Sequence, residues 1–319
     1  MFESALYDLL KFGARRLTQS PTFKKRFPEV CRRFQGAEKT VWDATARARL
    51  NAWFDGEARV HGPFSKIPSI TDGKPVILNQ AEALQRAIWL KHLESRAAPN
   101  DPHGIIAGEV NWQDNPIHLW VDRADYAQVK ALRSVAETEG RLPPRVLSAN
   151  ALAVCAEDRL LMLHRRSPDS ATYPAHLHTI GGAYWPPGFD NRGGDEGDIW
   201  STAVREVREE TNISLSDDCM GSVLILEELK TGFVQVAFLG CAIKSSVRAR
   251  VKVKAEGNVS WVGFDELGES LRSEKSWVPT GKAAVLAWLA MGAPGAGSRP
   301  RFNGRKPADL FAELIGGDA

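Results

Sequence analysis

The chain has 319 residues, of which 43% are hydrophobic and 25% charged, with 41 Lys and Arg against 39 Asp and Glu. This is the composition of an ordinary globular protein of one large or two modest domains, and a formal charge of +2 gives no global case for a nucleic-acid or membrane partner. Cys31, Cys155, Cys219 and Cys241 form neither a metal-type pair nor a disulfide framework, no run of about 18 apolar residues could span a membrane, and Glu3, Asp8 and Lys11 interrupt any leader core, so the expected location is cytoplasmic.

Residues 1–36 hold eight Lys or Arg against three acids. They read as a basic helical arm, with a solvated helical pair preferred over a nucleic-acid contact. Glu38–Phe54 and Gln80–Ser95 have helical patterns, and Ala58–Phe64, Ile105–Val110 and Ile117–Val121 read as strands. Asn111–Pro116 would close the last two strands into a hairpin. A helix over Ala124–Thr138 runs into Gly140-Arg141-Leu142-Pro143-Pro144, the expected boundary of an α+β region covering 1–144. That region would either help shape a substrate pocket or make the chain a homodimer.

Beyond the boundary, Ala149–Val154 and Leu160–His164 read as strands, followed by Arg165 and Arg166. One of these arginines is expected to grip a phosphate, and Arg165 is the chosen one; alternation sends the other away. Leu177–Ile180 leads into Gly181-Gly182, also expected at the ligand phosphates. His176 and His178 are spaced for one strand face, but no third ligand lies nearby to make a zinc site. Trp185-Pro186-Pro187-Gly188 opens a turn-rich stretch, Ala183–Gly197, that reads either as a lid or as a rigid surface loop.

Asp198 then stands as an N-cap or first-turn acid of a helix whose apolar side is Ile199, Trp200, Ala203, Val204 and Val207. Its other side carries Glu206, Glu209 and Glu210 at i, i+3 and i+4. Like charges at this spacing repel by roughly 0.2–0.5 kcal/mol per pair. A hard divalent cation would convert that repulsion into a ligand set. A solvated face balanced by Arg205 and Arg208 is the plainer alternative. Strands over Val223–Leu229, Phe233–Ile243 and Val259–Val262 follow, then helices near Asp265–Glu274 and Lys282–Met291. Gly292–Pro307 has the composition of a mobile linker, within a flexible tail spanning 293–319, and Ala308–Ile315 forms a short helix.

The run Arg205-Glu206-Val207-x-Glu209-Glu210-x-Asn212-Ile213 resembles the second half of the Nudix hydrolase box. Asn212 replaces the family's glycine, a tolerable exchange at a left-handed helix end. The first half is resized: in strict register its glycine falls on Asn191 and its glutamate on Gly197, so Asp195, Glu196 or Asp198 would have to replace that acid. The resemblance covers about residues 146–292 and implies an α/β/α sandwich in a domain spanning 145–292. The chain also has a softer similarity to the Nudix enzymes that split UDP-glucose and UDP-galactose, through Asn212, the lengthened Ala183–Gly197 segment and runs near Val41-Trp42, Trp53-Phe54-Asp55 and Trp277–Ala284.

The resemblance implies Mg²⁺, or Mn²⁺, held by Glu206, Glu209 and Glu210, with Arg205 orienting one of these acids. The implied reaction cleaves the diphosphate of a nucleoside diphosphate derivative, best a nucleotide sugar, into a nucleoside monophosphate and a phosphorylated product. Glu209, Glu210, Glu227 and Glu228 all remain open as the general base. The competing class is a non-catalytic Nudix-fold module that binds a nucleotide or a protein. Enzymes that remove damaged nucleoside triphosphates come third, because the N-terminal region exceeds their usual size.

Overall fold

The computed structural model describes residues 42–96, 98–114, 116–170, 172–187, 198–217, 220–248, 257–273 and 277–316. The basic arm and residues 188–197 of the stretch before the acidic helix lie outside the described residues. The fold is α/β. Among the described residues eleven strands share one sheet: β1 (Ala58–Phe64), β2 (Ser69–Pro75), β3 (Pro102–Ile106), β4 (His118–Asp125), β5 (Val146–Cys155), β6 (Leu160–Arg166), β7 (Leu177–His178), β8 (Ile180–Ala183), β9 (Ser222–Glu228), β10 (Phe233–Ala242) and β11 (Gly257–Gly263). Strands from both sides of Pro143-Pro144 thus belong to the same sheet.

β5 is its centre and is buried along its whole length. On one side it pairs in parallel with β10. On the other it changes partners, from β3 at Val146 and Leu147 to β8 at Ser148–Ala151 to β6 at Ala153–Cys155. Alternate β5 residues therefore feed two cores. Ala149, Ala151 and Ala153 meet Ile199, Trp200, Ala203 and Val207 of the acidic helix α4 (Ile199–Thr211). Leu152 and Val154 belong to the core that contains α7 (Pro279–Ala290), whose residues are buried on nearly every side. The result is a helix–sheet–helix sandwich, the layering that the order of elements predicts.

The remaining helices are α1 (Ala44–Trp53), α2 (Gln80–Ser95), α3 (Tyr126–Thr138), α5 (Ser245–Arg248), α6 (Leu267–Ser273) and α8 (Pro307–Gly316). No helix among the described residues is long and apolar enough to cross a membrane.

Departures from the sequence reading have local causes. β2 is a strand that the sequence reading did not assign; it lies at the end of the strand order, where Pro75 costs no ladder bond. β3 begins and ends earlier than expected, since Gly108 at φ +67° turns the chain. The segment expected to be a mobile linker packs instead: Ala293, Ala296 and Phe302 are buried, and the Phe302 ring lies 4.8 Å from Phe264 and 5.6 Å from Trp288. Composition hid this, because one aromatic anchor outweighs its glycine-rich surroundings.

Both ends of α4 are capped. Asp198 accepts a hydrogen bond from Ser201 N at 2.8 Å. Asn212 closes the helix in the left-handed region, at φ 63° and ψ 20°. Asn212→Ala is therefore expected to lower stability by about 1 kcal/mol, while Asn212→Gly stays close to wild type. Equal denaturation midpoints for the two variants would show that the left-handed cap is not what Asn212 provides.

Candidate active site

A cavity of about 510 Å³ opens where β5 changes partners. β6 leaves β5 after the Ala153–Cys155 pairing, so His164 and Arg166 near its end flank a gap that Gly181 and Gly182 of β8 enter. α4 lies across this fork and contributes Glu206 and Glu210 to the lining. Val207, buried between them in sequence, anchors the helix and sets the direction of both acids.

The two glycines do different work. A Cβ on Gly181 would overlap the backbone carbonyl of Ala149, so this glycine lets β8 lie against β5. A Cβ on Gly182 would overlap the Glu206 carboxylate, so that acid occupies space left open by a missing side chain. Both line the cavity, where a ligand could also reach them.

The three glutamates do not converge. Glu206 and Glu210 line the cavity and have side chains 12% and 9% exposed. Glu209 is 50% exposed, does not line the cavity, and pairs with Arg205 Nη1 at 3.0 Å. Helix geometry is the reason: at 100° per residue Glu206 and Glu210 differ by about 40°, but Glu209 sits about 100° from Glu210. Among the described residues no group of three or more His, Cys, Asp or Glu is placed to hold a metal ion. Of the three glutamates expected to share one face, Glu206 and Glu210 line the cavity and Glu209 does not.

Arg205 bridges the acids outside the cavity. Its Nη1 lies 2.7 Å from Glu206 Oε1, and its Nη2 donates to Ala183 O at 2.9 Å. The Trp185 ring covers the guanidinium, with Cζ 4.1 Å from the ring centroid. Trp185 here meets a helix side chain at the start of the segment read as lid or loop.

Of the two arginines ending β6, Arg166 lines the cavity, and Arg165 is directed elsewhere, donating to Ala175 O at 2.9 Å. Alternation thus separates the pair as expected, and the cavity lies on the side of Arg166 and not of Arg165, the arginine expected at the phosphates. The Arg166 Nε is buried, with no hydrogen-bond partner among the described residues. Burial pulls its pKa down, opposed by Glu228 and Glu210.

Three histidines line the cavity: His103, His164 and His178. Burial lowers the pKa of His103 to about 4. His164 is lowered to about 4 by burial and then by Arg166, so its Nδ1, 3.3 Å from Glu210 Oε2, faces that acid as a neutral ring at pH 7. His178 is lowered to about 3, first by burial and then by Arg166. His176 is not part of this group; it lies outside the strand, with Nδ1 2.7 Å from Pro174 O.

Glu227 and Glu228 end β9 on opposite faces. Glu227 meets His61 Nε2 at 2.7 Å and does not line the cavity. Glu228 lines it, is held by Thr231, and has its pKa pushed up by burial. On the same side of the sheet, Asn150 of β5 donates to Gln235 of β10 at 2.6 Å. Sequence reasoning passed over Asn150 and Gln235. Their signal was present, since each is a polar residue interrupting an apolar strand run.

No protein-family model matches the chain, and no curated protein matches it. Solved structures to which it is similar include a MutT protein from Methanosarcina mazei, at 24% identity over 43% of this chain and 86% of that one, with a TM-score of 0.31. A bifunctional NMN adenylyltransferase/ADP-ribose pyrophosphatase from Francisella tularensis, solved with AMP and a manganese ion, aligns at 14% identity over 46% of this chain and 41% of that one, with a TM-score of 0.36. The NUDIX domain of NrtR from Shewanella oneidensis, solved with ADP-ribose, aligns at 17% identity over 39% of this chain and 77% of that one, with a TM-score of 0.28.

Proposed function

We propose that the chain is a Nudix-type hydrolase that uses Mg²⁺, or Mn²⁺, to cleave the diphosphate of a nucleoside diphosphate derivative, with a nucleotide sugar as the favoured substrate. The products would be a nucleoside monophosphate and a phosphorylated second group. The observation that carries the reading is a single cavity lined by two α4 carboxylates, Glu206 and Glu210, and by Arg166.

The donor set suits a hard cation. Mg²⁺ retains waters and is commonly bound by one or two carboxylates together with substrate phosphates, so Glu206 and Glu210 suffice where a closed protein cage would need more ligands. When bound, the ion would offset charge developing at phosphorus and lower the pKa of water. Arg166 supplies a guanidinium to the phosphate oxygens, and the phosphate accepts from its otherwise unpartnered Nε. Arg205 holds Glu206 in place without facing the ligand. Of the four acids open as general base, only Glu210 and Glu228 line the cavity. Glu228 is assigned the role, because burial raises its affinity for a proton and Thr231 fixes its carboxylate.

A panel of nucleotide sugars, dinucleotides and nucleoside triphosphates, assayed with and without Mg²⁺, tests the reading. Turnover should require the ion and yield a nucleoside monophosphate. Arg166→Ala should raise KM by roughly tenfold or more, consistent with losing a charge-assisted contact. An unchanged KM would remove Arg166 from the phosphate site. A second reading, a binding module without turnover, is favoured by the placement of Glu209 outside the cavity. Tight nucleotide binding with no cleavage across the panel would establish it.

A further inference from the structure

The cavity floor carries chemistry that cleavage of a diphosphate does not require. Asn150 and Gln235 lie on a sheet face that continues as apolar core through Leu152, Val154, Ala237 and Leu239. They are 1% and 6% exposed, and both line the cavity. Ser148, Glu228 and His178 are the other buried polar groups lining this part of the cavity, and buried polar groups are costly unless bonded.

The bond between them leaves groups over. Each carboxamide has one acceptor oxygen and one NH₂. Whichever way the two amides are turned, the bond between them leaves a donor on one side chain and an acceptor on the other, and the Gln235 amide also has a hydrogen bond with His178. Among the described residues Asn150 Oδ1 has no hydrogen-bond partner. Phe233 and Val278 add apolar lining. The groups assigned above to the phosphate and its ion, Arg166, Glu206 and Glu210, come from β6 and α4 and not from β5 or β10.

We propose that the Asn150–Gln235 amide pair reads the nucleobase of the ligand, binding a planar edge that presents a donor beside an acceptor. Uracil offers such an edge as N–H and C=O, and adenine as N–H and ring nitrogen. A flat edge matches two amides locked together, and a flat ring matches the apolar lining. Sugar hydroxyls, which rotate and both donate and accept, do not need a paired arrangement. The inference rests on the cavity being a nucleotide site, but it does not require catalysis.

The test is calorimetric binding of UMP, AMP and ribose 5-phosphate to the full chain in EDTA, so that hydrolysis plays no part. Wild type should bind at least one of the nucleotides about tenfold more tightly than ribose 5-phosphate, the size expected of a paired base contact. Asn150→Leu should abolish that preference while leaving ribose 5-phosphate affinity within about twofold of wild type. Gln235→Met should do the same, and decides the matter if Asn150→Leu does not fold. Whether UMP or AMP is preferred identifies the base class. The proposal is overturned if wild type shows no preference, if the variants keep it, or if they weaken ribose 5-phosphate as much as the nucleotides. A preserved base preference in a protein that cleaves no diphosphate would defeat the hydrolase reading and leave this inference standing.

Discussion

Glu206→Gln is expected to lower kcat for diphosphate cleavage by roughly 10²-fold or more, equivalent to losing an electrostatic element worth about 3 kcal/mol. Glutamine keeps the length and one hydrogen-bonding oxygen but removes the charge. The side chain lines a cavity and does not belong to the apolar clusters, so the melting temperature should stay near wild type. Glu210→Gln should behave similarly. Glu209→Gln should cost less than tenfold, because Glu209 is half exposed and meets Arg205 outside the cavity. Steady-state kinetics on the three variants checks the ranking. A Glu209→Gln loss as large as the other two would mean that α4 presents a different face in the working protein.

Gly182→Ala should lower activity sharply while leaving the fold intact. Its Cβ would overlap the Glu206 carboxylate, which ends a flexible side chain and can swing away, so the fold survives and the acid is displaced. Misplacing one catalytic group by about 1 Å can cost of order 10²-fold in rate. Gly181→Ala makes the contrast. There the Cβ meets the Ala149 carbonyl, and backbone cannot yield without opening the β5–β8 ladder, so stability should fall first. Thermal unfolding and kcat measured on both variants separate the cases. If Gly182→Ala retains full activity, the cradle around Glu206 is not needed.

Much of the architecture was readable because apolar periodicity is set locally. Gln80–Ser95 and Ala58–Phe64 occupy the limits that their patterns predict. The left-handed end of α4 followed from Asn212 after a helical run. The site was less readable, because it depends on which strands part from which. Spacing alone put Glu209 with Glu206 and Glu210, but only the packing of Val207 shows which flank of the helix meets the fork. Alternation separated Arg165 from Arg166 without saying which face holds the cavity. Asn150 and Gln235 are 85 residues apart, and no local pattern reveals that their amides bond.

Titration of the protein with Mn²⁺, following the free ion by its paramagnetic resonance signal, tests the pairing of Glu206 with Glu210 most directly. Wild type and Glu209→Gln should bind the ion with similar affinity, and Glu210→Gln should bind it roughly tenfold more weakly or worse, as expected when one of two carboxylate ligands is lost. If Glu210→Gln binds as wild type does, or if Glu209→Gln is the variant that fails, the cation is not held by the two acids that line the cavity.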